Sequence, residues 1–210
     1  MTGAPYKLYG RAGAGSLAPQ ILLEEIGVPY ELVWVGRSPS ELESFRRINP
    51  EGKVPLLVLP EGTTLSESAA ILIHLTHAHP AVDLAPTPGS SAHARFLQWM
   101  VFLSANVYET ALRYYYPERY GIAGSSAAAD IKAQALTDYA SHLELIHAAL
   151  SPYVLGAKLS AVDAYLYMVA GWYPGGVAAL AAQLPKVAQH AELLRGRPAT
   201  RKAERDHSES

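Results

Sequence analysis

The chain contains no cysteine among its 210 residues. This absence excludes a disulfide bond, a thiolate metal site and a cysteine nucleophile. Any sulfur chemistry that the protein performs must therefore use sulfur supplied by a ligand.

The sequence also lacks a dominant charge and a long apolar run. Its 17 basic and 19 acidic side chains give a formal charge of −2, and 50% of its residues are hydrophobic. This composition excludes a strongly basic nucleic-acid-binding protein and a disordered chain. No apolar run reaches the roughly 18 residues that a membrane-spanning helix needs, and the first twenty residues do not resemble a secretory signal. We therefore expect a cytoplasmic protein with neither a nucleic-acid nor a membrane partner.

The first 79 residues predict a small α/β domain. Alternating apolar residues predict strands at 6–9, 30–35, 56–59 and 64–65, and helical spacing predicts helices that begin at Ser16, at Pro39 and at Ser66. A glycine-rich loop at 10–15 separates the first strand from the first helix. The order βαβ followed by ββα is typical of a mixed four-stranded sheet with helices on its faces.

The rest of the chain predicts a linker and an all-helical domain. Residues 80–91 contain three prolines and a glycine and form the linker. Residues 92–210 form the second domain, with helical patterns at 92–116, 127–150, 162–172, 176–183 and 185–194. We expect the charged tail from Arg195 to add one turn around 199–203 and to be loose at its end.

Four segments, in this order and spacing, resemble the soluble glutathione S-transferases. They are GAGSLAP at 13–19, NPEGKVP at 49–55, SES at 66–68 and LSAVDAYLYMVAGW at 159–172. The resemblance implies a thioredoxin-like N-terminal domain, an all-helical C-terminal domain, glutathione as co-substrate and a homodimer. The first loop is most similar to that of the bacterial beta-type enzymes, which have a cysteine where this chain has Gly15.

The Val54-Pro55 step lies directly before a predicted strand. Proline has no N–H, and a cis bond here would leave the N–H and C=O of Val54 facing outward, free to pair with an extended peptide. The alternative is an ordinary trans turn. The resemblance implies the cis form and places Lys53, Val54 and Pro55 in the glutathione site, with Val54 on the cysteinyl residue.

Glu67 and Ser68 lie at the start of a predicted helix, where unpaired N–H groups favour a carboxylate. The alternative is an ordinary capped helix with an acidic first turn. The resemblance implies that Ser68 and the helix N-terminus receive the γ-glutamyl carboxylate, and that Glu67 pairs with the ammonium group. A second helix start, Ser160 to Asp163, predicts a capping box with a structural role.

Two kinds of donor are candidates for stabilising a glutathione thiolate. One is the Ser16 hydroxyl, and the other is the pair of main-chain N–H groups of Gly15 and Ser16. An ordinary helix cap is the alternative for Ser16. Tyr108 is a further catalytic candidate, because it falls where beta-type enzymes carry an active-site histidine, whereas Val101 replaces an asparagine of theirs.

Tyrosines are concentrated at 114–120, where four occur in seven positions. Flat aromatic surface with hydroxyl groups suits an electrophile pocket, although core or dimer surface would also explain it. The candidate pocket residues are Arg11, Tyr108, Leu112, Tyr115 and Tyr116, with a solvated side chain as the alternative for Arg11. Three histidines at 74, 77 and 79 lack a nearby carboxylate, so we expect no metal.

Three functions remain open from the sequence. The first is a glutathione transferase that activates the thiolate for attack on a small electrophile. The second is another glutathione-dependent reaction, such as ether cleavage, dehalogenation, isomerisation or sulfur transfer. The third is a non-catalytic binding module on the same fold, which Gly15 favours and the retained Val54, Glu67 and Ser68 disfavour.

Overall fold

The computed structural model describes residues 4–122 and 126–209. The chain divides into two units, one formed by Met1–Ala85 with Arg195–Ser210 and the other by Pro86–Leu194. The predicted linker at 80–91 includes the boundary between the two units, which lies between Ala85 and Pro86. The C-terminal residues 195–210 differ from the prediction, because they join the first unit and not the helical domain. Among the described residues, no helix is both long and apolar enough to cross a membrane.

The first unit contains the predicted mixed sheet. Its strands are β1 (Tyr6–Gly10), β2 (Tyr30–Trp34), β3 (Leu56–Val58) and β4 (Thr64–Ser66), and its helices are α1 (Leu17–Ile26), α2 (Pro39–Arg46) and α3 (Ser68–Ala78). The strand order is β2-β1-β3-β4. Strand β1 is parallel to β2 and antiparallel to β3, and β3 is antiparallel to β4. The four-stranded prediction is confirmed, and α3 begins two residues later than expected.

Apolar side chains at strand and helix periods build the core of this unit. Leu8 of β1, Leu22 of α1 and Leu72 of α3 have at most 1% of their surface exposed. A second cluster joins Phe45 of α2 to Leu56 of β3 and to Val35, which follows β2, with Tyr9 packed against it. The sheet is therefore held between helices, and its strand ends are fixed in place.

The second unit is helical. Its helices are α4 (Ser91–Phe102), α5 (Glu109–Tyr115), α6 (Ala128–Ala149), α7 (Ala161–Gly171), α8 (Gly176–Leu180) and α9 (Pro185–Arg195). A π-helical segment, Leu103–Tyr108, connects α4 to α5, so the single long helix predicted at 92–116 contains one wider turn. The proline at 117 ends this helix as expected.

The start of α7 contains the predicted capping box. The Asp163 carboxylate accepts hydrogen bonds from the N–H of Ser160 at 2.8 Å and from its hydroxyl at 3.0 Å. It also accepts from the N–H of Val154 at 2.9 Å and lies 3.0 Å from Nε2 of His190 in α9. Asp163 and His190 are at most 1% exposed. One buried carboxylate thus joins α7, the preceding loop and α9.

We predict that Asp163→Ala lowers the free energy of unfolding by about 3 kcal/mol, because it leaves buried donors without an acceptor. Ser160→Ala should cost about 1 kcal/mol, as the loss of a helix cap does. Urea denaturation measures both, and Asp138→Ala is the control, since Asp138 is an exposed residue whose carboxylate accepts a hydrogen bond from Gln134. An equal loss in Asp163→Ala and Asp138→Ala would contradict the structural role.

The C-terminal tail forms a full helix, α10 (Pro198–Ser208), which packs against α1. The prediction of one turn and a loose end is wrong, because three small residues of α10 are buried and its charged residues have partners on α1. The buried residues are Ala199, Thr200 and Ala203. The ion pairs are Arg197 with Glu25 at 2.5 Å and Lys202 with Glu24 at 3.2 Å. These ion pairs therefore attach the C-terminal tail to α1 in the first unit.

His207, near the end of α10, makes the stability of the first unit pH-dependent. Burial lowers the pKa of His207 to about 4, although the neighbouring Asp206 opposes this shift, and its ring packs edge-on to Trp34 at 5.0 Å. An unfolded histidine titrates near pH 6.5. Between these values the unfolded chain binds a proton that the folded chain does not, so stability falls as the pH falls.

We predict that protonation of His207 lowers the free energy of unfolding of the parent by about 3 kcal/mol between pH 7 and pH 4. His207→Gln should lack that part of the pH dependence, because glutamine does not titrate. Urea denaturation of both proteins across this range isolates the effect of the one residue. Parallel stability curves for the parent and the variant would contradict the assignment.

Candidate functional site

The strand register brings three sequence motifs to one edge of the sheet. Tyr9 of β1 and Ser66 of β4 both pair with Leu56 of β3. Gly10, Pro55 and Glu67 are the next residues along the chain from these three paired positions. The glycine-rich loop, the Val54-Pro55 step and the start of α3 therefore adjoin paired strand ends at the same edge, and the Ser68 hydroxyl contacts the Gly15 carbonyl at 3.1 Å.

Ser16 closes the glycine-rich loop that follows β1. Its hydroxyl donates to the carbonyl of Arg11 and accepts from the N–H of Arg11, both at 3.2 Å. Ser16 is fully buried, and a Cβ at Gly10 would lie only 2.8 Å from its Oγ. Glycine at position 10 therefore permits the close packing of Ser16 against the end of β1.

These contacts change the balance between the two candidate thiolate donors. A serine hydroxyl has one proton, and that of Ser16 is directed to Arg11. The side chain of Ser16 does not cap α1 either. Within residues 4–122 and 126–209, the main-chain N–H groups of Gly15 and Ser16 have no acceptor, and both residues are buried. The geometry thus favours the main-chain donors over the hydroxyl.

The side chain of Arg11 connects the same loop to the segment after β2. Its Nε donates to the carbonyl of Val35 at 3.1 Å, and its Nη2 donates to that of Gly36 at 3.3 Å. The guanidinium is therefore directed to the segment after β2. Arg11 therefore supports the loop between β1 and α1, and its role as a pocket residue stays a prediction.

The Val54-Pro55 bond is cis, which confirms that prediction. The side chain of Lys53 is largely exposed and lies 3.8 Å from the Glu51 carboxylate. Its carbonyl accepts a 2.8 Å hydrogen bond from Nδ2 of the buried Asn49. Asn49 supports the chain before the cis bond. Sequence reasoning missed it, although it lies within the NPEGKVP motif.

Glu67 lies at the edge of the sheet with an unusual backbone. Its φ of +68° lies in a region that residues other than glycine rarely adopt. The side chain is exposed and does not cap α3, and no hydrogen-bond or ion-pair partner for its carboxylate occurs among the described residues. Glu67 is therefore a free negative charge at the start of α3.

Ser68 is 5% exposed, and its hydroxyl donates to the carbonyl of Gly15 at 3.1 Å. Sequence reasoning assigned this hydroxyl to a bound carboxylate, but its one proton already has a main-chain acceptor. The first main-chain N–H groups of α3 remain the donors that a helix N-terminus offers to an anion. The bond also joins the start of α3 to the glycine-rich loop.

Two of the candidate tyrosines in the second unit share a partner. The ring of Tyr108, at the end of the π-helical segment, packs edge-on to Trp172 at 5.0 Å. The hydroxyl of Tyr115 donates to the carbonyl of Trp172 at 2.7 Å. Trp172 was missed as a site residue because its contacts join elements about 60 residues apart. We call this group the aromatic cluster, formed by Tyr108, Tyr115 and Trp172.

The other pocket candidates lie outside the aromatic cluster. The guanidinium of Arg119 lies 3.9 Å from the ring of Tyr116, and Leu112 is partly buried in α5. Val101 is 60% exposed. In the described part of the chain, no group of three potential metal ligands occurs, and Nε2 of His79 lies 3.0 Å from the hydroxyl of Tyr6.

Comparison with known proteins identifies the family. Residues 16–78 match the family described as glutathione S-transferase, N-terminal domain. An uncharacterized GST-like protein of Escherichia coli strain K12, YncG, is 32% identical over 174 residues, covering 80% of this chain and 82% of that protein. The chain belongs to the glutathione S-transferase family, with a thioredoxin-like domain followed by a helical region.

Two solved structures are similar over nearly the whole chain. A sphingomonad glutathione S-transferase complexed with glutathione is 31% identical, covers 97% of this chain and 100% of that one, and has a TM-score of 0.81. A glutathione transferase homologue from sulfitobacter with bound glutathione is 27% identical, covers 97% and 98%, and has a TM-score of 0.87. Bacterial beta-class enzymes are among the similar structures.

Proposed function

We propose that this protein is a glutathione transferase that binds glutathione at the sheet edge of the first unit and activates its thiol for attack on a small electrophile. The observation that carries the proposal is the meeting of three features at that edge. These are the N–H groups of Gly15 and Ser16 and the carboxylate of Glu67, which have no partner among the described residues, and the cis Val54-Pro55 step. Similar proteins whose structures hold glutathione support the choice of ligand.

Each feature matches one part of the tripeptide. The main chain of Val54 pairs with the cysteinyl residue of glutathione as an added strand would. Glu67 pairs with the γ-glutamyl ammonium, and the N-terminus of α3 receives the adjacent carboxylate. Lys53 adds an exposed positive charge beside Val54 for the anionic ligand.

Activation of the glutathione thiol requires that its pKa be lowered, because the thiolate is the nucleophile. A free thiol titrates near pH 8.5, and lowering its pKa by about two units requires about 2.7 kcal/mol of preferential stabilisation of the anion. The main-chain N–H groups of the two buried residues Gly15 and Ser16, at the start of α1, supply fixed donors, as an oxyanion hole does. Because position 15 is a glycine, the loop has no thiol of its own, and the sulfur comes from glutathione.

The aromatic cluster is a surface of the second unit that suits an apolar molecule, because Tyr108 and Trp172 offer ring faces and edges. The glutathione thiolate displaces a leaving group from the electrophile, or adds to it with uptake of a proton, and a thioether results. We extend the proposal to a cytoplasmic homodimer, since glutathione is abundant in the cytosol and most homo-oligomers are two-fold.

Binding of glutathione, followed by incubation with a panel of electrophiles, tests the function. Calorimetric binding together with a thioether product in the mass spectrum would support a transferase. Binding with isomerised, dehalogenated or cleaved products would favour the other glutathione-dependent reactions. Binding with no turnover of any electrophile would favour a binding module, and no binding would contradict the proposal.

We predict that Glu67→Gln weakens glutathione binding by about 30-fold, because it removes the charge that pairs with the ammonium group. The substitution keeps the side-chain shape. Isothermal titration calorimetry measures the affinity, and Glu61→Gln is the control, since Glu61 is an exposed carboxylate in the turn between β3 and β4, at the other end of β4 from Glu67. Unchanged affinity in folded Glu67→Gln would exclude this contact.

A further inference from the structure

We propose that the outer edge of β2 binds an extended segment of a partner protein in which apolar and basic residues alternate. The segment adds a strand to the sheet and places an apolar side chain in a cavity on one face of β2. It places a basic side chain in a second cavity on the opposite face. This surface belongs to the first unit, and the inference does not depend on the proposed function.

β2 is the end strand of the sheet, and in the described part of the chain it pairs with β1 alone. The N–H of Val35, just after β2, donates to the carbonyl of Gly10 at 2.9 Å. The carbonyl of Pro29, just before β2, accepts from the N–H of Tyr6 at 3.2 Å. In a parallel pair, alternate residues of a strand bond to the neighbouring strand. Odd-numbered residues therefore bond to β1, and the main-chain groups that point away from it are those of Tyr30, Leu32 and Trp34.

This edge is open to another strand. None of the five residues of β2 is buried. The sequence of β2, YELVW, contains neither the proline nor the lysine that commonly protects an edge strand from pairing. A row of outward N–H and C=O groups on such a strand is a template for an extended peptide, whose main chain supplies the hydrogen bonds.

A cavity of about 340 Å³ lies on the α2 face of β2. Its walls are mainly apolar and include Val33 of β2, Phe45 of α2 and Ile48, which is 43% exposed. Glu41 also lines this cavity, and its carboxylate accepts a hydrogen bond from the N–H of Ser38 at 3.1 Å. Every second side chain of a strand paired with β2 points to this face. The cavity therefore suits an apolar side chain.

A second cavity, of about 450 Å³, lies on the opposite face of β2, where α1 and α10 line it. Leu23 and Leu32 provide apolar surface. The Lys202 ammonium lies 3.2 Å from the Glu24 carboxylate and 2.8 Å from that of Asp206. Two carboxylates and one ammonium leave a net negative charge. A lysine or arginine lays its aliphatic stem on apolar surface and keeps its charged end among polar groups, so this cavity suits a basic side chain.

The charge of the second cavity favours a different protein over a second copy of this chain. Antiparallel pairing of β2 with β2 of another copy, about a two-fold axis, places the same face of both sheets on the same side. The two net-negative cavities would then lie beside one seam and repel each other. A basic segment has the complementary charge.

The binding test uses an acetylated heptapeptide in which lysine alternates with phenylalanine, because this pattern is the same in both strand directions. One control peptide has glutamate in place of lysine, and another is methylated on its main-chain nitrogens. Isothermal titration calorimetry with the parent protein should show about tenfold tighter binding of the lysine peptide than of either control. Equal binding of the lysine and glutamate peptides, or no binding of the lysine peptide at about 1 mM, would overturn the inference.

Two variants test the two kinds of contact. Glu24→Gln should weaken binding of the lysine peptide about fivefold, because it removes the excess negative charge. Leu32→Pro should weaken it about tenfold, because proline lacks the outward N–H and is tolerated on an edge strand. Glu43→Gln is the control, since Glu43 is an exposed residue that lines neither cavity. Unchanged peptide affinity in both test variants would contradict the assigned edge, whereas glutathione affinity should equal that of the parent in all three.

Amide hydrogen exchange in the parent covers the case in which a variant does not fold. The lysine peptide should slow exchange of the outward Leu32 amide about tenfold and leave that of Val33, which bonds to β1, unchanged. An unaffected Leu32 amide would overturn the inference. Slow exchange at Leu32 without peptide, together with a molecular mass that rises with protein concentration, would overturn it in favour of a second copy.

Discussion

The antiparallel pairing of β3 with both β1 and β4 is the constraint on which the candidate site depends. β3 spans only three residues, yet its register with Tyr9 and Ser66 brings three separate motifs to one edge. Side chains alternate along a strand, so a slip of one residue would turn Leu57 out of the core. Burial of Leu8 and Leu57, both fully inaccessible, therefore fixes the site as well as the sheet.

The absence of cysteine explains why main-chain donors are central to the proposal. A relative with a cysteine at the end of this loop has a sulfur of its own, whereas this chain depends on the sulfur of its ligand. The hydroxyl groups of Ser16 and Ser68 are not the proposed thiolate donors, because both are directed to main-chain carbonyls. Both serines hold the loop in place, and the loop presents N–H groups.

Local patterns predicted the elements of the first unit well. The helix at Pro39–Arg46 begins at the predicted residue, and in the second unit the capping box at Asp163 follows from four adjacent residues. These features depend on residues that are neighbours in the sequence. A pattern within one turn or one strand is sufficient to specify them.

The missed features depend on contacts between distant residues. The bond from Ser68 to Gly15 spans 53 positions, and the pairing of Arg197 with Glu25 spans 172. Helix α10 has a charged sequence that suggests a solvated tail, and its contacts with α1 and with Trp34 give it a fixed place. Ser16 and Ser68 are predicted site residues, and the acceptors of their hydroxyl protons are a property of the fold.

We propose that this cysteine-free chain lowers the pKa of the thiol of bound glutathione. Ultraviolet titration of the parent protein saturated with glutathione, against free glutathione, tests it most directly. We predict a thiolate transition about two pH units below the free value near 8.5. A bound thiol that titrates at the free value would contradict the account, whatever the affinity for glutathione.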